Sequence, residues 1–366
     1  MIYYLPLEPY RERYTLQLAE WTTNAMQQQG IPFKVIEGVA LDREVIRTGV
    51  VLDAHGRSHY ALTQTAALVA ALASGEITGD DVIYIDDMFH PGWEALPYIL
   101  SQQQQRPRIY TRCYAQSVDP HDFTFSMRQW MRCYEMMVDR TCSGIFLASS
   151  CQVDMLRAAM FDAPLHVAGL PFDGDEVRQR AGESPLLHKR RKRVVFASRW
   201  DAEKQPHFWM DLVEHVRRNK LMEDYTFEVC TGATALRSNL PGAVDRAYAM
   251  ERAGMLVIHE DLDKAAYYAI LKDSRVQFNC ALQDFVSYTL LEASALGTPS
   301  LLPAYLSMPE AVFNNDVQLY CPWSIEDAVR KLLALTKTPP PREVVAMPSN
   351  HHGATFDRMF NIMIGG

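Results

Sequence analysis

The chain has 366 residues, 48% apolar and 22% charged, with a net charge of −8. This composition excludes disordered, collagen-like and coiled-coil chains, and the length predicts two domains or one large one. No apolar run suits a membrane span, the first residues lack a signal-peptide pattern, and seven cysteines without metal spacing favour free thiols, so we expect a cytoplasmic protein without a membrane anchor.

The negative charge lies in the first half of the chain. Residues 1–183 contain 15 Lys and Arg against 23 Asp and Glu, whereas the remainder is balanced. This excludes a basic nucleic-acid surface on the scale of a whole domain. The stretch 106–140 has six arginines, which either meet phosphates or form a solvated helix face.

Short β-rich runs alternate with helical stretches along most of the chain. In the first half the predicted strands are MIYYLPL, PFKVIEG, VIYI, RPRIYTRCY and SGIFLAS. In the second half they are RVVFASR, YTFEVCTG, GMLVIH, VQFNCAL and SLLPA. Helical stretches, such as 14–29 and 127–140, separate these runs. The alternation predicts parallel sheets built from βαβ units.

A polar segment interrupts the alternation and divides the chain. Residues 181–193 end in KRRKR and predict a solvated linker, with a nuclear signal as the alternative. The segment separates two Rossmann-like domains, at 1–180 and 194–345, and residues 346–366 predict a C-terminal helix that packs back near the first domain. The expected fold class is α/β, with two parallel-sheet domains facing a cleft where ligands bind off the carboxyl ends of strands.

Two groups of side chains in the second half carry chemistry. Arg199 and Lys204 follow the strand VVFAS at the entry to a helix, where a guanidinium and an ammonium suit an anion. Asp284 and Glu292 lie eight residues apart at a loop-to-helix transition. Carboxylates accept sugar hydroxyls, while helix-end amides and cations hold phosphates. The combination predicts a sugar nucleotide; ordinary surface cations and a helix-dipole carboxylate are the alternatives.

The segments FASRWDAEKQ and DFVSYTLLEASALGTP together resemble the second domain of retaining GT-B glycosyltransferases of the glycogen-synthase-like group. The resemblance covers roughly residues 165–335. Ser198 and Gln205 replace two glycines of the family's motif, and Asp284 replaces its first glutamate. It implies a GT-B fold and the metal-independent transfer of a hexose, with a nucleotide sugar as co-substrate and no other cofactor.

The resemblance also implies roles for individual residues. Arg199 and Lys204 would neutralise the leaving diphosphate, Asp284 would face the hexose, and Glu292 would accept from the ribose. The remaining donor-binding residues would be Ser287, Tyr288 and Thr289. The family's habit implies UDP-glucose as donor and retention of configuration.

Polar side chains that follow strands of the first half are candidates for the acceptor site. These candidates are Glu8 and Arg13 after the first strand and Asp86, Asp87 and His90 after VIYI. Asp119 and then His121 are the candidates for positioning the acceptor hydroxyl or taking its proton. Turns and helix caps are the alternative, and the two adjacent carboxylates also suggest the metal site of GT-A glycosyltransferases.

The run YTLLEASALGT is also similar to bacteriophage α-glucosyltransferases that modify hydroxymethylcytosine in DNA. That likeness implies a 5-hydroxymethylated pyrimidine in phage DNA as acceptor, a location in the host cytoplasm, and a base flipped onto aromatic residues such as Trp130. The acidic first half opposes DNA binding. A small-molecule, glycan or envelope acceptor, or a sugar-nucleotide-binding protein without catalysis, are the other hypotheses.

Overall fold

The computed structural model describes residues 1–10, 14–41 and 54–365. The chain forms two compact units, one from residues 1–171 with 354–366 and the other from residues 172–353. We call them unit 1 and unit 2. Each is a parallel sheet with helices, so the predicted α/β class is confirmed. No helix within the described ranges combines the length and apolarity that a membrane span needs.

Unit 1 contains a six-stranded parallel sheet with the order β2-β1-β3-β4-β5-β6. Its strands are β1 Ile2–Leu5, β2 Phe33–Val35, β3 Val82–Ile85, β4 Arg108–Arg112, β5 Gly144–Leu147 and β6 Leu165–Val167. The helices between them are α1 Tyr14–Gln28, α2 Ala54–Ala73, α3 Leu96–Ser101, α4 Arg128–Thr141 and α5 Ser150–Ala158. Strands β1, β3 and β5 are buried along their whole length, as expected for parallel strands covered on both faces.

Unit 2 contains a second six-stranded parallel sheet, with the order β12-β11-β10-β7-β8-β9. Its strands are β7 Arg191–Phe196, β8 Thr226–Cys230, β9 Val257–His259, β10 Ser274–Phe278, β11 Ser300–Pro303 and β12 Leu319–Tyr320. Its helices are α6 Gly174–Ala181, α7 Pro206–Arg218, α8 Ala243–Arg252, α9 Lys264–Lys272, α10 Tyr288–Ala295, α11 Met308–Ala311, α12 Ile325–Lys337 and α13 Arg342–Gly353. The last helix, α14 Thr355–Gly365, belongs to unit 1.

Each core is a layer of large apolar side chains between sheet and helices. In unit 2, the Trp209 ring of α7 lies 5.6, 5.8 and 5.2 Å from the rings of Phe196, Phe227 and Phe278 on three adjacent strands. Aromatic contacts of this kind add about 0.5–1.5 kcal/mol each beyond the area they bury. They fix the strands whose carboxyl ends carry the polar loops described below.

The strand orders define one switch point in each sheet. In unit 1 the chain runs from β1 to β2 on one side and then to β3 on the other, and in unit 2 it leaves β7 for β8 and later fills the other side from β10. Loops that leave two such neighbouring strands diverge, and open α/β sheets bind ligands in the crevice between them. The loops after β1 and β3, and those after β7 and β10, are therefore the expected ligand positions.

The segment expected to be a solvated linker is structured. Helix α6 packs against α9 and α10, and β7 begins inside the KRRKR run. Arg190 is 5% exposed and donates to Leu296 O at 2.9 Å and Thr298 Oγ1 at 2.6 Å, at the end of α10. Burial lowers its pKa to about 10. Arg193 pairs with Glu228 of the neighbouring strand at 2.7 Å, so two cations of the run are buried with tertiary partners.

Candidate functional site

Two of the residues predicted to bind the donor meet at the switch point of unit 2. Lys204 ends a 3₁₀ turn between β7 and α7, and Asp284 lies in the loop between β10 and α10. Lys204 Nζ donates to Asp284 Oδ1 and lies 3.4 Å from Gln283 Oε1. The two side chains of the pair are 9% and 17% exposed. Positions 80 residues apart thus form one ion pair across the crevice.

Arg199, the second predicted phosphate ligand, is half-exposed on the same loop. Its Nη2 lies 2.6 Å from Glu203 Oε1, and its Nη1 lies 3.4 Å from Asp201 Oδ2. Its charge is therefore balanced within its own loop, just as the charge of Lys204 is balanced by Asp284. Both predicted phosphate ligands therefore already face carboxylates.

The turn between Lys204 and α7 has a left-handed backbone. Gln205 has φ 50° and ψ 54°, at the position where the resembling family has glycine. This conformation costs a residue with a Cβ atom roughly 1–2 kcal/mol. Its Nε2 donates to Cys280 O at 2.5 Å, so the side chain also connects the two loops of the crevice. This hydrogen bond offsets part of the backbone strain.

The N-terminus of α10 holds the hydroxyl-bearing candidates. Ser287 is the residue preceding the helix, and its Oγ lies 2.8 Å from Thr289 Oγ1. Tyr288 and Thr289 are partly exposed. The first turn of α10 contains no acidic residue, so its partial positive charge is available to an anion.

Glu292 lies one turn further along α10 and is 4% exposed. Its carboxylate accepts hydrogen bonds from Lys264 Nζ at 2.8 Å, Tyr267 OH at 2.9 Å and Tyr268 OH at 3.0 Å. We call these four residues the Glu292 cluster. The three donors were not predicted; their spacing on an amphipathic helix looks like that of core residues.

Two of the acceptor candidates of unit 1, Glu8 and His90, line a pocket at the switch point of that unit. The pocket is small, with a cavity volume of about 10 Å³, close to the space that one water needs, and its lining includes Glu8, Arg57, Phe89 and His90. Arg57 was missed by the sequence analysis. Its Nη2 donates to Asp87 Oδ2 at 2.5 Å and to Phe89 O at 2.6 Å. The signal was available, since Arg57 is the only Lys, Arg, Asp or Glu between positions 54 and 73.

The adjacent carboxylates of Asp86 and Asp87 have different surroundings. Asp86 is 1% exposed and accepts from Tyr4 OH and Tyr84 OH, each at 2.8 Å, and burial raises its pKa. Asp87 faces Arg57. Oxygens already engaged in this way do not form a pair for one cation, and no metal-binding group of three His, Cys, Asp or Glu occurs in the described ranges.

His90 lies against the same pocket as a neutral imidazole. It is 7% exposed, and its Nε2 lies 3.1 Å from Thr65 Oγ1. Burial and, to a smaller degree, the charge of Arg57 lower the pKa of His90 to about 3. The ring is uncharged at neutral pH and acts as a hydrogen-bonding group.

The remaining predicted residues lie elsewhere. Asp119 follows β4 and is fully buried; its Oδ1 accepts from the His121 backbone N–H at 2.9 Å. Its Oδ2 meets no hydrogen-bond donor within the described part of the chain, and burial raises its pKa. The side chain of His121 is partly exposed. Arg13 lies outside the described residues.

The arginine-rich stretch is partly structural. Arg132 donates to Glu135 Oε2 at 2.7 Å and to Ala159 O at 2.6 Å, and Glu135 is fully buried. Arg112 is 1% exposed and donates to Gly169 O at 2.6 Å. Arg128 lies 4.2 Å over the ring of Phe125. Two of the six arginines thus hold the fold of unit 1.

No protein-family model and no curated protein sequence matches the chain, but solved structures do. A sucrose-phosphate synthase from Thermosynechococcus elongatus superimposes with a TM-score of 0.68 at 11% identity, over 99% of this chain and 96% of that one. A UDP-forming α,α-trehalose-phosphate synthase from Burkholderia xenovorans, in complex with glucose-6-phosphate, has a TM-score of 0.60 at 12% identity, over 95% and 84%. A glycosyltransferase from Rickettsia africae has a TM-score of 0.62 at 12% identity, over 100% and 95%. The chain has the GT-B fold, as its motifs predicted.

Proposed function

We propose that this protein is a glycosyltransferase that moves a hexose from a nucleoside diphosphate sugar to a hydroxyl group. The observation that carries the proposal is the Lys204–Asp284 pair at the switch point of unit 2. It puts a cation and a carboxylate at the carboxyl edge of a nucleotide-binding type of sheet, beside the N-terminus of α10. Phosphates and sugar hydroxyls are the two chemistries that such a set recognises.

Each donor-site residue then has a task. Lys204 and Arg199 stabilise the negative charge that develops on the departing diphosphate, which is the electrostatic contribution that lowers the barrier. Asp284 accepts hydrogen bonds from the hexose, Glu292 accepts from the ribose, and the hydroxyl groups of Ser287, Tyr288 and Thr289 complete the donor site. The transfer requires no metal in this scheme because protein cations supply the positive charge.

The donor we propose is UDP-glucose, with retention of configuration. One neighbour in fold is named as a UDP-forming synthase, which supports uridine. Retention rests on the likeness of the 199–205 and 284–299 segments to the retaining group.

The acceptor we propose binds at the pocket of unit 1. Glu8 contributes a carboxylate, Arg57 is paired with Asp87 behind it, and His90 is neutral. Such a pocket suits a hydroxyl compound, because carboxylates and a neutral imidazole accept hydrogen bonds from hydroxyl groups. Asp119, the first sequence-based candidate for positioning the hydroxyl or taking its proton, is fully buried, so Glu8 and Asp87 rank ahead of it.

A hydroxymethylated pyrimidine in DNA, the acceptor that the sequence likeness put first, becomes the second acceptor hypothesis. Its hydroxymethyl group is also an uncharged hydroxyl, and the exposed Trp130, whose ring lies 6.1 Å from that of Phe89, offers a stacking surface beside the pocket. The engagement of Arg132 with Glu135 leaves fewer cations for phosphate contacts than the sequence suggested.

A thermal-shift panel with UDP-, GDP-, ADP- and TDP-glucose tests the donor, because a ligand that binds only the folded state raises the melting temperature. Transfer of radiolabelled hexose is then measured with free sugars, glycans and DNA containing hydroxymethylcytosine, with unmodified DNA as the control. Lys204→Met, which keeps the packed stem, should weaken donor use by roughly 1–3 kcal/mol.

The matched control is Lys192→Met, which removes an exposed lysine of the same unit that pairs with Asp224 and should change nothing. Donor binding without transfer to any acceptor would favour a sugar-nucleotide-binding protein over an enzyme. Binding of none of the four donors by the folded protein would refute the proposal.

A further inference from the structure

The loop that follows β8 is joined to the turn that carries Lys204. This loop covers residues 231–242, and β8 is the neighbour of β7 on the side away from β10. Its Asn239 makes two hydrogen bonds to the start of the turn. The side-chain Oδ1 accepts from Ala202 N at 2.8 Å, and the backbone N donates to Asp201 Oδ1 at 3.0 Å. Two loops that are distant in the chain are thus fastened together at the carboxyl edge of the sheet.

Asn239 supplies the cap of this turn from another loop. The turn is a 3₁₀ turn from Ala202 to Lys204, and the first N–H groups of a helical turn have no partner inside it. The residue just before a helix usually provides the acceptor from its own side chain. Here Asp201 stands at that position, but its carboxylate accepts from Asn239 N, and the acceptor for the turn is Asn239 Oδ1. The side chain of Asn239 therefore does the work of a helix cap.

The backbone of Lys204 depends on the residues that Asn239 holds. Lys204 N donates to Asp201 O at 2.9 Å, so the residue that bears the ammonium is bonded to the residue that Asn239 fixes. On the side of β10, Leu282 N donates to Glu203 O at 3.0 Å. The turn is held between the loops of two strands, and the bonds from Asn239 are its attachment on the side of β8.

A fixed turn matters because a lysine side chain is flexible. Its ammonium lies at the end of a four-carbon stem, and ordering such a stem costs conformational entropy. A backbone that is already fixed when a diphosphate arrives leaves less to order on binding, which raises the affinity. Asn239 itself is exposed, so its replacement changes the support of the turn without opening a cavity in the core.

We infer that Asn239 is a positioning residue for the donor diphosphate, because it caps the turn that carries Lys204 and thereby places the ammonium. The inference rests on the proposed function, in which Lys204 stabilises the departing diphosphate, and adds to it a residue from outside the two motif segments. Asn239 acts through Lys204 and is not itself a ligand of the donor.

The test measures the Kd values of UDP, GDP, ADP and TDP, and the rate of UDP release from UDP-glucose, in the full chain and in Asn239→Ala, at a temperature where both are folded. We expect the Kd of the diphosphate that binds best to rise roughly fivefold, the size of one lost hydrogen bond. The rate should fall by a similar factor, because Lys204 also acts on the departing group. In a Lys204→Met background, Asn239→Ala should change that Kd less than twofold.

The matched control is Asn219→Ala, which removes an exposed asparagine of unit 2 whose Nδ2 donates to His215 O of its own helix; it should change neither quantity. Equal rises in Kd with and without Lys204 would overturn the inference, because Asn239 would then act by another route. An unchanged Kd in Asn239→Ala, even with a lower melting temperature, would also overturn it, because a merely structural role predicts that result. A folded wild-type protein that binds none of the four diphosphates would instead overturn the proposed function.

Discussion

Asp284→Asn should separate donor binding from sugar transfer. Before a donor binds, the ammonium of Lys204 is neutralised by Asp284, and both side chains are more than four-fifths buried. A diphosphate that approaches Lys204 must share it with this carboxylate and is also repelled by it. The amide of asparagine keeps the shape of the side chain and removes its charge.

The expected gain in nucleotide affinity follows from the geometry. Two unit charges about 4 Å apart interact by roughly 4 kcal/mol at an effective dielectric constant of 20. Part of this is lost because Lys204 still donates to neighbouring oxygens and because water reaches the site. We expect a net gain of about 1–2 kcal/mol, which is a roughly 5–30-fold lower Kd for UDP. Transfer should fall at least about tenfold, since Asp284 contacts the hexose in the proposed scheme.

Calorimetry with UDP and a coupled assay of UDP release from UDP-glucose measure the two effects. Glu203→Gln is the matched comparison, because it leaves Arg199, whose side chain is 51% exposed, with Asp201 alone at 3.4 Å; pairs that solvent reaches are worth only about 0.2–1 kcal/mol. Its gain in UDP affinity should stay below about fivefold. Weaker or unchanged UDP binding by folded Asp284→Asn would refute the competition between Asp284 and the diphosphate for Lys204. Unimpaired sugar transfer would refute the contact of Asp284 with the hexose.

Three further predictions concern stability. The free energy of unfolding of Gln205→Gly should exceed that of Gln205→Ala by about 1 kcal/mol. Both variants lose the hydrogen bond to Cys280, but only glycine removes the strain of the left-handed backbone. Equal midpoints of urea unfolding would contradict that strain. Since the pKa of His90 is about 3 in the fold against 6.5 ordinarily, the unfolded chain binds more protons between these values, and stability should fall as pH falls through this window. In the His90→Asn variant the free energy of unfolding should depend less on pH in this window, and an unaltered pH profile would contradict the role of His90. Arg132→Ala should lower the free energy of unfolding by about 3 kcal/mol, because the buried carboxylate of Glu135 loses its cation. A loss of less than about 1 kcal/mol would show that Glu135 finds another partner.

The strands were the most predictable part of the fold. A parallel strand covered on both faces must be apolar along its length, and VIYI and GIFL are buried at every position. The short strands β6 and β12 carry too few residues for such a run to stand out. The helix predicted over 346–366 is two helices, α13 and α14. The start of α13 was missed because the three prolines of KTPPPRE indicate a break, whereas here they precede the first turn of a helix, a position that proline tolerates.

The KRRKR run shows what local sequence does not reveal about charge. A cluster of cations predicts solvation because burying a charge without a partner costs several kcal/mol. Arg190 overcomes this cost with acceptors from the end of α10, and Arg193 does so with Glu228 of β8. Both partners are distant in the chain, so the run alone cannot identify them.

Only part of the candidate site could be predicted from the sequence. A motif is formed by residues close together in the chain, whereas the order of strands in a sheet depends on the whole fold. The sequence predicts that Arg199 and Lys204 follow one strand and that Asp284 follows another. It does not predict that these strands, β7 and β10, are neighbours in the sheet. Arg57 and Lys264 come from helices whose positions at the two switch points depend on the same order.

Strand order also ranks the acceptor candidates. Glu8 follows β1 and Asp87 follows β3, and these strands flank the switch point of unit 1. Asp119 follows β4, one strand further along the sheet, and its carboxylate is fully buried. A group that exchanges a proton with a bound hydroxyl must come within hydrogen-bond reach of it. The residues to substitute first on the acceptor side are therefore Glu8 and Asp87, and Asp119 acquires a catalytic role only if a ligand or a movement of its loop exposes it.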